Sequence, residues 1–338
     1  MADEATTMSP RLGFTGDVML GRNVDRTHRG GTPEAVWGDV LSRLRGLDGL
    51  FVNLECALST RGREWTRTYR PFHFRAAPDW AIPALRAAGV DWTALANNHL
   101  LDYEEVALHD TVDHLDDAGI AHAGAGADER RAFDPSVVGV GDLRVGLLSL
   151  TDNTPEYAAG PDTPGVARIE MDVADAVERE RVRDLIANVR ERGADLVVAS
   201  LHWGPNMVVV PADRYRTFGR WLIESGVDLV HGHSAHVFQG VERHEGGLLL
   251  HDCGDFVDDY RVDEELRNDQ SFLFELAVTA DGELERLRLH PTEIGDCVVD
   301  HANERAAAWA RETMRDRTAA LDADPSVERA GDGLALAL

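Results

Sequence analysis

Residues 12–22 read Leu-Gly-Phe-Thr-Gly-Asp-Val-Met-Leu-Gly-Arg, a short apolar run that ends on an acid, Asp17, set between glycines. An apolar run of this length predicts a buried strand, and an acid at its tip predicts a carboxylate delivered to the edge of a sheet, where open α/β sheets place their ligand sites. Five further runs end in the same way. Gly49–Val52 leads into Asn53-Leu54-Glu55, Trp92–Ala96 into Asn97-Asn98-His99, and Leu196–Leu201 into His202-Trp203-Gly204. Leu229–His231 leads into Gly232-His233-Ser234-Ala235-His236, and Gly247–Leu250 into Asp252-Cys253-Gly254-Asp255-Phe256. One such end is weak evidence; six together predict one polar site.

Around these ends the chain alternates strands with amphipathic stretches. Strands are also expected at Val137–Val140, Arg144–Leu150 and Ser271–Thr279, and helices at Pro33–Arg45, Asp79–Ala88, Glu104–Ala118, Val173–Arg192 and Arg214–Ser225. Gly89, Gly119, Gly193 and Gly226 sit where helix C-terminal caps belong. Ser271–Thr279 and Glu283–Leu289 flank Asp281-Gly282 and predict an antiparallel pair. The expected organisation is one α/β domain over 10–300, a last helix over 301–320, and an acidic, disordered tail over 321–338.

Composition narrows the function. The 338 residues hold 60 acids against 34 basic residues, a formal charge of -26, and every basic residue is arginine. Acidity spread along a whole chain suits concentrated salt, where the Debye length falls to about 3 Å at 1 M. A halophilic cytoplasm is therefore expected; an acidic mesophilic enzyme from an arginine-rich coding background is the alternative. The charge argues against nucleic acid as a partner. Cys56, Cys253 and Cys297 lack metal-type spacing and suit a reducing compartment. No signal pattern and no apolar run of membrane-spanning length occurs, so a soluble, cytoplasmic protein without a transmembrane segment is expected.

Carboxylates, an amide oxygen and several imidazoles are the donor set of Zn, Mn or Fe(II). The candidate ligands are Asp17, Glu55, Asn98, His202, His233 and His236, holding one or two divalent ions. A bridging acid can hold two cations about 3.5–4 Å apart, where they activate water. An imidazole outside the ligand set can then protonate a leaving group.

The ordered blocks Gly16-Asp17-Val18-Met19-Leu20-Gly21-Arg22, Asn53-Leu54-Glu55, Ala96-Asn97-Asn98-His99-Leu100-Leu101-Asp102-Tyr103, His202-Trp203-Gly204, Gly232-His233-Ser234-Ala235-His236 with Gln239, and Cys253-Gly254-Asp255-Phe256 resemble the CapA family of poly-γ-glutamate capsule biosynthesis. That resemblance implies the calcineurin-like metallophosphoesterase fold, a four-layer α/β/β/α sandwich with two mixed sheets. It implies Asp17 as first carboxylate ligand, Glu55 as bridging acid, Asn98 as amide ligand, His202, His233 and His236 as later ligands, and His99 as the acid facing substrate. Metallophosphoesterases place a histidine two residues after the first aspartate; Met19 stands there, which removes one imidazole from one metal position.

Other polar residues have plainer readings. Asp102 orients His99 or caps the following helix. Asp255 is equally a turn residue or an outer acid, His231 is expected in the core, and Cys56 is a small buried side chain. His73, His109, His114, His122 and His251 show no partner pattern. The stretch Arg61–Arg75 is arginine-rich in an acidic chain, so Arg63, Arg67 and Arg70 are expected either to receive an anionic substrate or to form ion pairs within a solvated loop.

The resemblance implies a metal-dependent hydrolase acting on a phosphorylated or γ-glutamyl substrate, with an anionic small molecule or polyglutamate as its ligand. The alternative is a non-catalytic accessory subunit of a polyglutamate synthase assembly carrying a vestigial metal site.

Overall fold

In the computed structural model, which describes residues 9–321 and 327–338, two mixed sheets stack face to face. Strands β1 (Arg11–Val18), β2 (Gly49–Leu54), β3 (Trp92–Ala94) and β4 (Ala121–Ala123) run parallel as successive neighbours of the first sheet. The chain then crosses over. In the second sheet β5 (Ser136–Val140), β6 (Leu143–Thr151), β7 (Leu196–His202), β8 (Leu229–His233), β9 (Val241–His244) and β10 (Gly247–Leu250) lie in the order β9-β10-β8-β7-β6-β5. It returns through β11 (Asp255–Val257), parallel to the end of β1, and through the antiparallel β12 (Gln270–Val278), β13 (Leu284–Gly295) and β14 (Val298–His301).

Side-chain alternation explains the layers. Leu12, Phe14, Phe51 and Trp92 of the first sheet meet Val145, Leu147, Leu196, Val198 and Leu229 of the second in one inter-sheet core. The intervening residues, Leu50, Val52, Leu148, Leu150, Val197 and Ala199, turn outward into a second cluster. There they meet helices α1 (Arg22–His28), α2 (Pro78–Ala88), α3 (Glu104–Ala118), α4 (Ala176–Glu191) and α5 (Asp213–Glu224). Strands buried on both faces read as continuous apolar runs. The α/β/β/α sandwich with two mixed sheets is the observed arrangement.

Local departures have local causes. The expected helix Pro33–Arg45 is a 3₁₀ stretch, Pro33–Val40, followed by a short turn over Leu41–Leu44, because Gly38 takes φ +41° where a side chain would strike Val299 and Asp300. Helix α4 begins at Ala176 rather than Val173, since the Asp175 carboxylate caps the amides of Val177 and Glu178. The last helix, α6 (Glu304–Ala319), sends Ala310 and Met314 into the inter-sheet core.

The expected disordered tail needs correction. Residues 322–326 lie outside the described residues, but β15 (Glu328–Ala330) and β16 (Gly333–Ala337) form a hairpin, and β16 pairs with β13. Leu334 and Leu336 are buried between the sheets. Among the described residues no helix is long and apolar enough to cross a membrane. Cys56 and Cys253 are buried free thiols, and burial pushes the Cys56 thiol up to about 12.

Candidate metal centre

Parallel pairing brings the polar strand ends to one place. Asp17 is in register with Asn53 on one side and with Asp255 on the other. His202 is in register with His233 across β7 and β8. The close approach of β11 to β1 depends on Gly16, where a Cβ would lie 1.8 Å from the carbonyl oxygen of Gly254.

Two groups of candidate ligands share Asp17. In the first, Asp17 Oδ1 lies 3.7 Å from His233 Nδ1 and 4.0 Å from His202 Nδ1. In the second, Asp17 Oδ2 lies 3.5 Å from His236 Nδ1, which is 2.8 Å from Asp255 Oδ1. The donor atoms of each group fall within 4.8 Å of one another, the span of a single cation's coordination sphere. Glu55 closes the first group from below: its Oε1 is 3.9 Å from His202 Nε2 and 3.9 Å from His99 Nε2.

Hydrogen bonds set the tautomers. The carbonyl of Thr15 can only accept, so His231 Nε2, 2.7 Å away, carries a proton. Burial brings His231 down to about 4, so the ring is neutral and its Nδ1 accepts from Ser200 Oγ at 3.1 Å. The same hydroxyl oxygen then accepts from His233 Nε2 at 2.9 Å. His233 Nδ1 is left as an acceptor, 3.0 Å from His202 Nδ1 and 3.7 Å from Asp17 Oδ1. Outer-shell bonds of this kind orient metal-ligating imidazoles.

Four buried oxygens complete the picture. Asp17 Oδ2, Glu55 Oε1, Asn98 Oδ1 and Asp255 Oδ2 have no hydrogen-bond donor. Buried acceptors without partners are costly, and acids and imidazoles whose donor atoms lie within 4.8 Å of one another fit a cation. Burial raises Asp17 to about 6. Burial and the neighbouring Asp17 push Glu55 well above the ordinary range, and burial with Asp258 and Asp17 does the same to Asp255. Burial lowers His236, but Glu55 and Asp17 outweigh it and raise the imidazole. Burial lowers His202 and His233 well below their usual value and keeps them neutral.

Beside this cluster lies a second device. His99 Nδ1 sits 2.6 Å from Asp102 Oδ2, its ring stacks on Phe74 at 3.8 Å between centroids, and Nε2 faces Glu55. Asp102 also accepts from the Phe74 amide at 2.7 Å and from the Tyr157 hydroxyl at 2.9 Å. Burial pulls His99 below its ordinary value more strongly than Asp102 lifts it.

The structure therefore gathers Asp17, Glu55, His202, His233, His236, Asp255 and the His99–Asp102 pair, while Asn98, next to His99 in sequence, has a buried amide oxygen without a donor. Arginines divide. Arg63 and Arg67 pair with Glu104, and Arg67 also with Glu105. The ion-pair reading holds for these two, and they are not brought to the cluster. Arg70 alone of the three reaches the site, bonding the Asn98 carbonyl and lying 3.8 Å from Asp102. Met19 is buried with its sulfur accepting the Gly21 amide at 3.1 Å, so it stands outside the donor set.

Residues 11–260, from the first strand through Tyr260, match the family described as Bacterial capsule synthesis protein PGA_cap. The chain belongs to that family. Its PGA_cap relatives include the Mycobacterium tuberculosis (strain H37Rv) protein named "Probable polyglutamine synthesis accessory protein Rv0574c", 36% identical over 82% of this chain and 75% of that one. The Bacillus anthracis "Capsule biosynthesis protein CapA" is 28% identical over 73% of this chain and 59% of its own length. Among solved structures, a calcineurin-like phosphoesterase from Bacillus subtilis, YfkN, aligns over 93% of this chain and 99% of that one at 12% identity with a TM-score of 0.44.

Four contributors to this PGA_cap site were not legible as such. Asn53 donates to Asp17 Oδ1 at 2.6 Å, Tyr260 donates to Glu55 Oε2 at 2.8 Å, and Ser200 links two histidines. Asp255 carried a usable signal: Gly254-Asp255-Phe256 repeats the pattern of Gly16-Asp17-Val18, and the two aspartates pair in register.

Proposed function

We propose that this PGA_cap protein is a divalent-metal-dependent hydrolase acting on a phosphorylated or γ-glutamyl substrate in polyglutamate synthesis. The observation that carries the reading is the convergence of His202, His233 and His236 on Asp17, Glu55 and Asp255, each of which keeps a buried oxygen without a donor. Asp17, His202, His233, Glu55 and Asn98 would hold one ion, and Asp17, His236 and Asp255 a second, with Mn, Zn or Fe suited to the donors. Such an ion supplies Lewis acidity and a water of lowered pKa.

The chain's own residues do the rest. Asp102 accepts the Nδ1 proton of His99 and so holds Nε2 toward the Glu55 side of the cluster. His99, destabilised as a cation by burial, would first take a proton from the attacking water at its bare Nε2 and would then release it to a departing oxygen or nitrogen. Phe74 and Tyr157 fix that pair and keep water from it. Components of a polyglutamate synthase are the proposed partners, in keeping with the name of the mycobacterial relative.

A second reading, an accessory subunit without turnover, is favoured by Met19, which stands at the sequence position of an expected histidine and turns its sulfur to the Gly21 amide instead. Metal analysis of the purified protein in high salt, with hydrolysis assays on bis(p-nitrophenyl) phosphate and poly-γ-glutamate, separates the two. Metal with turnover, both lost in Asp17→Asn and His233→Ala, supports the hydrolase. Metal without turnover supports the accessory reading, and a metal-free protein overturns both.

A further inference from the structure

The arginines expected to meet an anionic substrate are largely tied to Glu104 and Glu105, but a different set gathers in one groove, two of them without a carboxylate partner among the described residues. A groove of about 490 Å³ opens beside the cluster and is lined by Arg22, Arg26, Arg29 and Arg75, with Asp25 and Glu64 as its acids. In a chain where acids outnumber basic residues 60 to 34, four guanidiniums against two carboxylates is a local reversal of sign.

The geometry of the groove follows from the first strand. Helix α1 follows the Asp17 strand end and carries Arg22 at its start and Arg26 within it, and Arg29 follows as its C-terminal cap in extended backbone. Arg75 joins from the opposite wall, because Gly21 lets its backbone approach to where a Cβ would lie 2.8 Å from the Arg75 amide. Asp25 is largely engaged, accepting from the Ala77 amide and the Trp80 indole and touching Arg29 only at 3.9 Å. Arg22 pairs with Asp259 at 3.3 Å. Arg26 bonds Asn23, and Arg75 bonds the carbonyl of Arg61, so among the described residues neither has a carboxylate partner.

The Arg22 end of the groove is separated from the cluster by the rings of Phe74 and Tyr260. The Arg22 guanidinium lies 5.5 Å from the Phe74 ring and 5.9 Å from the Tyr260 ring. Phe74 stacks on His99, and Tyr260 donates to Glu55. A single compact anion would fill one end of such a stripe. An extended ligand with a negative charge on each successive unit would meet every guanidinium in turn.

We infer that the Arg22–Arg26–Arg29–Arg75 groove is a subsite for the repeating carboxylates of an oligo-γ-glutamate chain whose end lies at the His99–Glu55 cluster. The inference deepens the proposed function and rests on it for the position of the chain end. Binding of a fluorescent oligo-γ-glutamate, followed by anisotropy at several salt concentrations, tests it without requiring turnover. Arg26→Gln with Arg29→Gln should weaken binding about tenfold, the scale of one or two charge-assisted contacts, and should flatten its salt dependence. Arg75→Gln should weaken binding in the same direction. Arg286→Gln with Arg329→Gln removes equal charge from the far side of the first sheet and should leave affinity unchanged. Equal loss in that control, undiminished binding in the groove variants, or no binding by the wild type overturns the inference. Tighter binding of inorganic tripolyphosphate, with the same dependence on these arginines, overturns the choice of a carboxylate chain. If groove-dependent binding persists in a protein that neither holds metal nor hydrolyses any substrate, the proposed function fails and the subsite stands.

Discussion

The hydroxyl of Ser200 accepts the Nε2 proton of His233 at 2.9 Å while giving its own to His231 Nδ1, so one oxygen determines which nitrogen of His233 faces Asp17. Ser200→Ala removes that control without altering the volume of the core appreciably. Metal affinity should fall by about 10–100-fold, as is usual when the outer partner of a ligating imidazole is lost. Isothermal titration with Mn and Zn measures it, and an unchanged affinity would show that the relay is idle.

Tyr260 acts on Glu55 in a similar way. Its hydroxyl holds Oε2 and leaves Oε1 for the cluster. Tyr260→Phe deprives a buried carboxylate of its one donor, which costs about 1–3 kcal/mol for the ionised form. Metal binding should therefore weaken, and its dependence on pH should move upward because the Glu55 carboxyl, already high, rises further. Titration at a series of pH values reads both effects.

Asp102→Asn keeps the shape of the His99 partner but turns an amide group toward donors. Three hydrogen bonds now converge on that carboxylate, from His99, Phe74 and Tyr157. Turnover should fall by about 100-fold or more, the usual worth of a positioned acid or base, while metal content stays at the wild-type level. Equal metal content with full activity would remove His99 from the reaction.

Gly16→Ala tests the seam between the first strand and β11. A Cβ there would lie 1.8 Å from the Gly254 oxygen, a backbone atom with nowhere to go. The variant should lose about 3 kcal/mol or more of stability and bind metal poorly even where it folds, because Asp17 and Asp255 part. Urea unfolding in high salt measures the first effect.

Glu242 lies outside the site and offers a clean pH prediction. Burial opposes its ionisation, but the bond from His251 at 2.9 Å and the ion pair with Arg220 bring its carboxyl down to about 2. A depressed carboxyl stabilises the fold above its unfolded value near 4.5, and the benefit disappears as pH falls through 2. Glu242→Gln should cost about 3 kcal/mol at neutral pH, and the difference from wild type should shrink steadily below about pH 4.5. A difference independent of pH would mean that packing, rather than charge, accounts for the loss.

Much of this site could be read along the chain because period-two apolar runs announce their own ends. Asp17, Glu55, His202 and His233 each follow such a run directly, and parallel pairing then brings them together. Ser200 and Tyr260 could not be read this way, since their roles depend on register between strands and on a loop returning from far along the chain. Arg63 and Arg67 were misplaced for a related reason: the acids that hold them, Glu104 and Glu105, begin a helix in another segment. The tail was misread because composition outweighed pattern. Leu334, Leu336 and Leu338 alternate with small residues, the ordinary mark of a strand with one buried face.

The register pairing of Asp17 with Asp255 has a consequence for biosynthesis. Asp17 leaves the ribosome long before Asp255 is made. Until β11 docks beside the first strand, the second candidate group, Asp17 with His236 and Asp255, is incomplete. Contacts of such separation form late and slowly in folding. On the proposed function, a nascent or truncated chain would lack this second group, and full metal loading would report that the domain is finished.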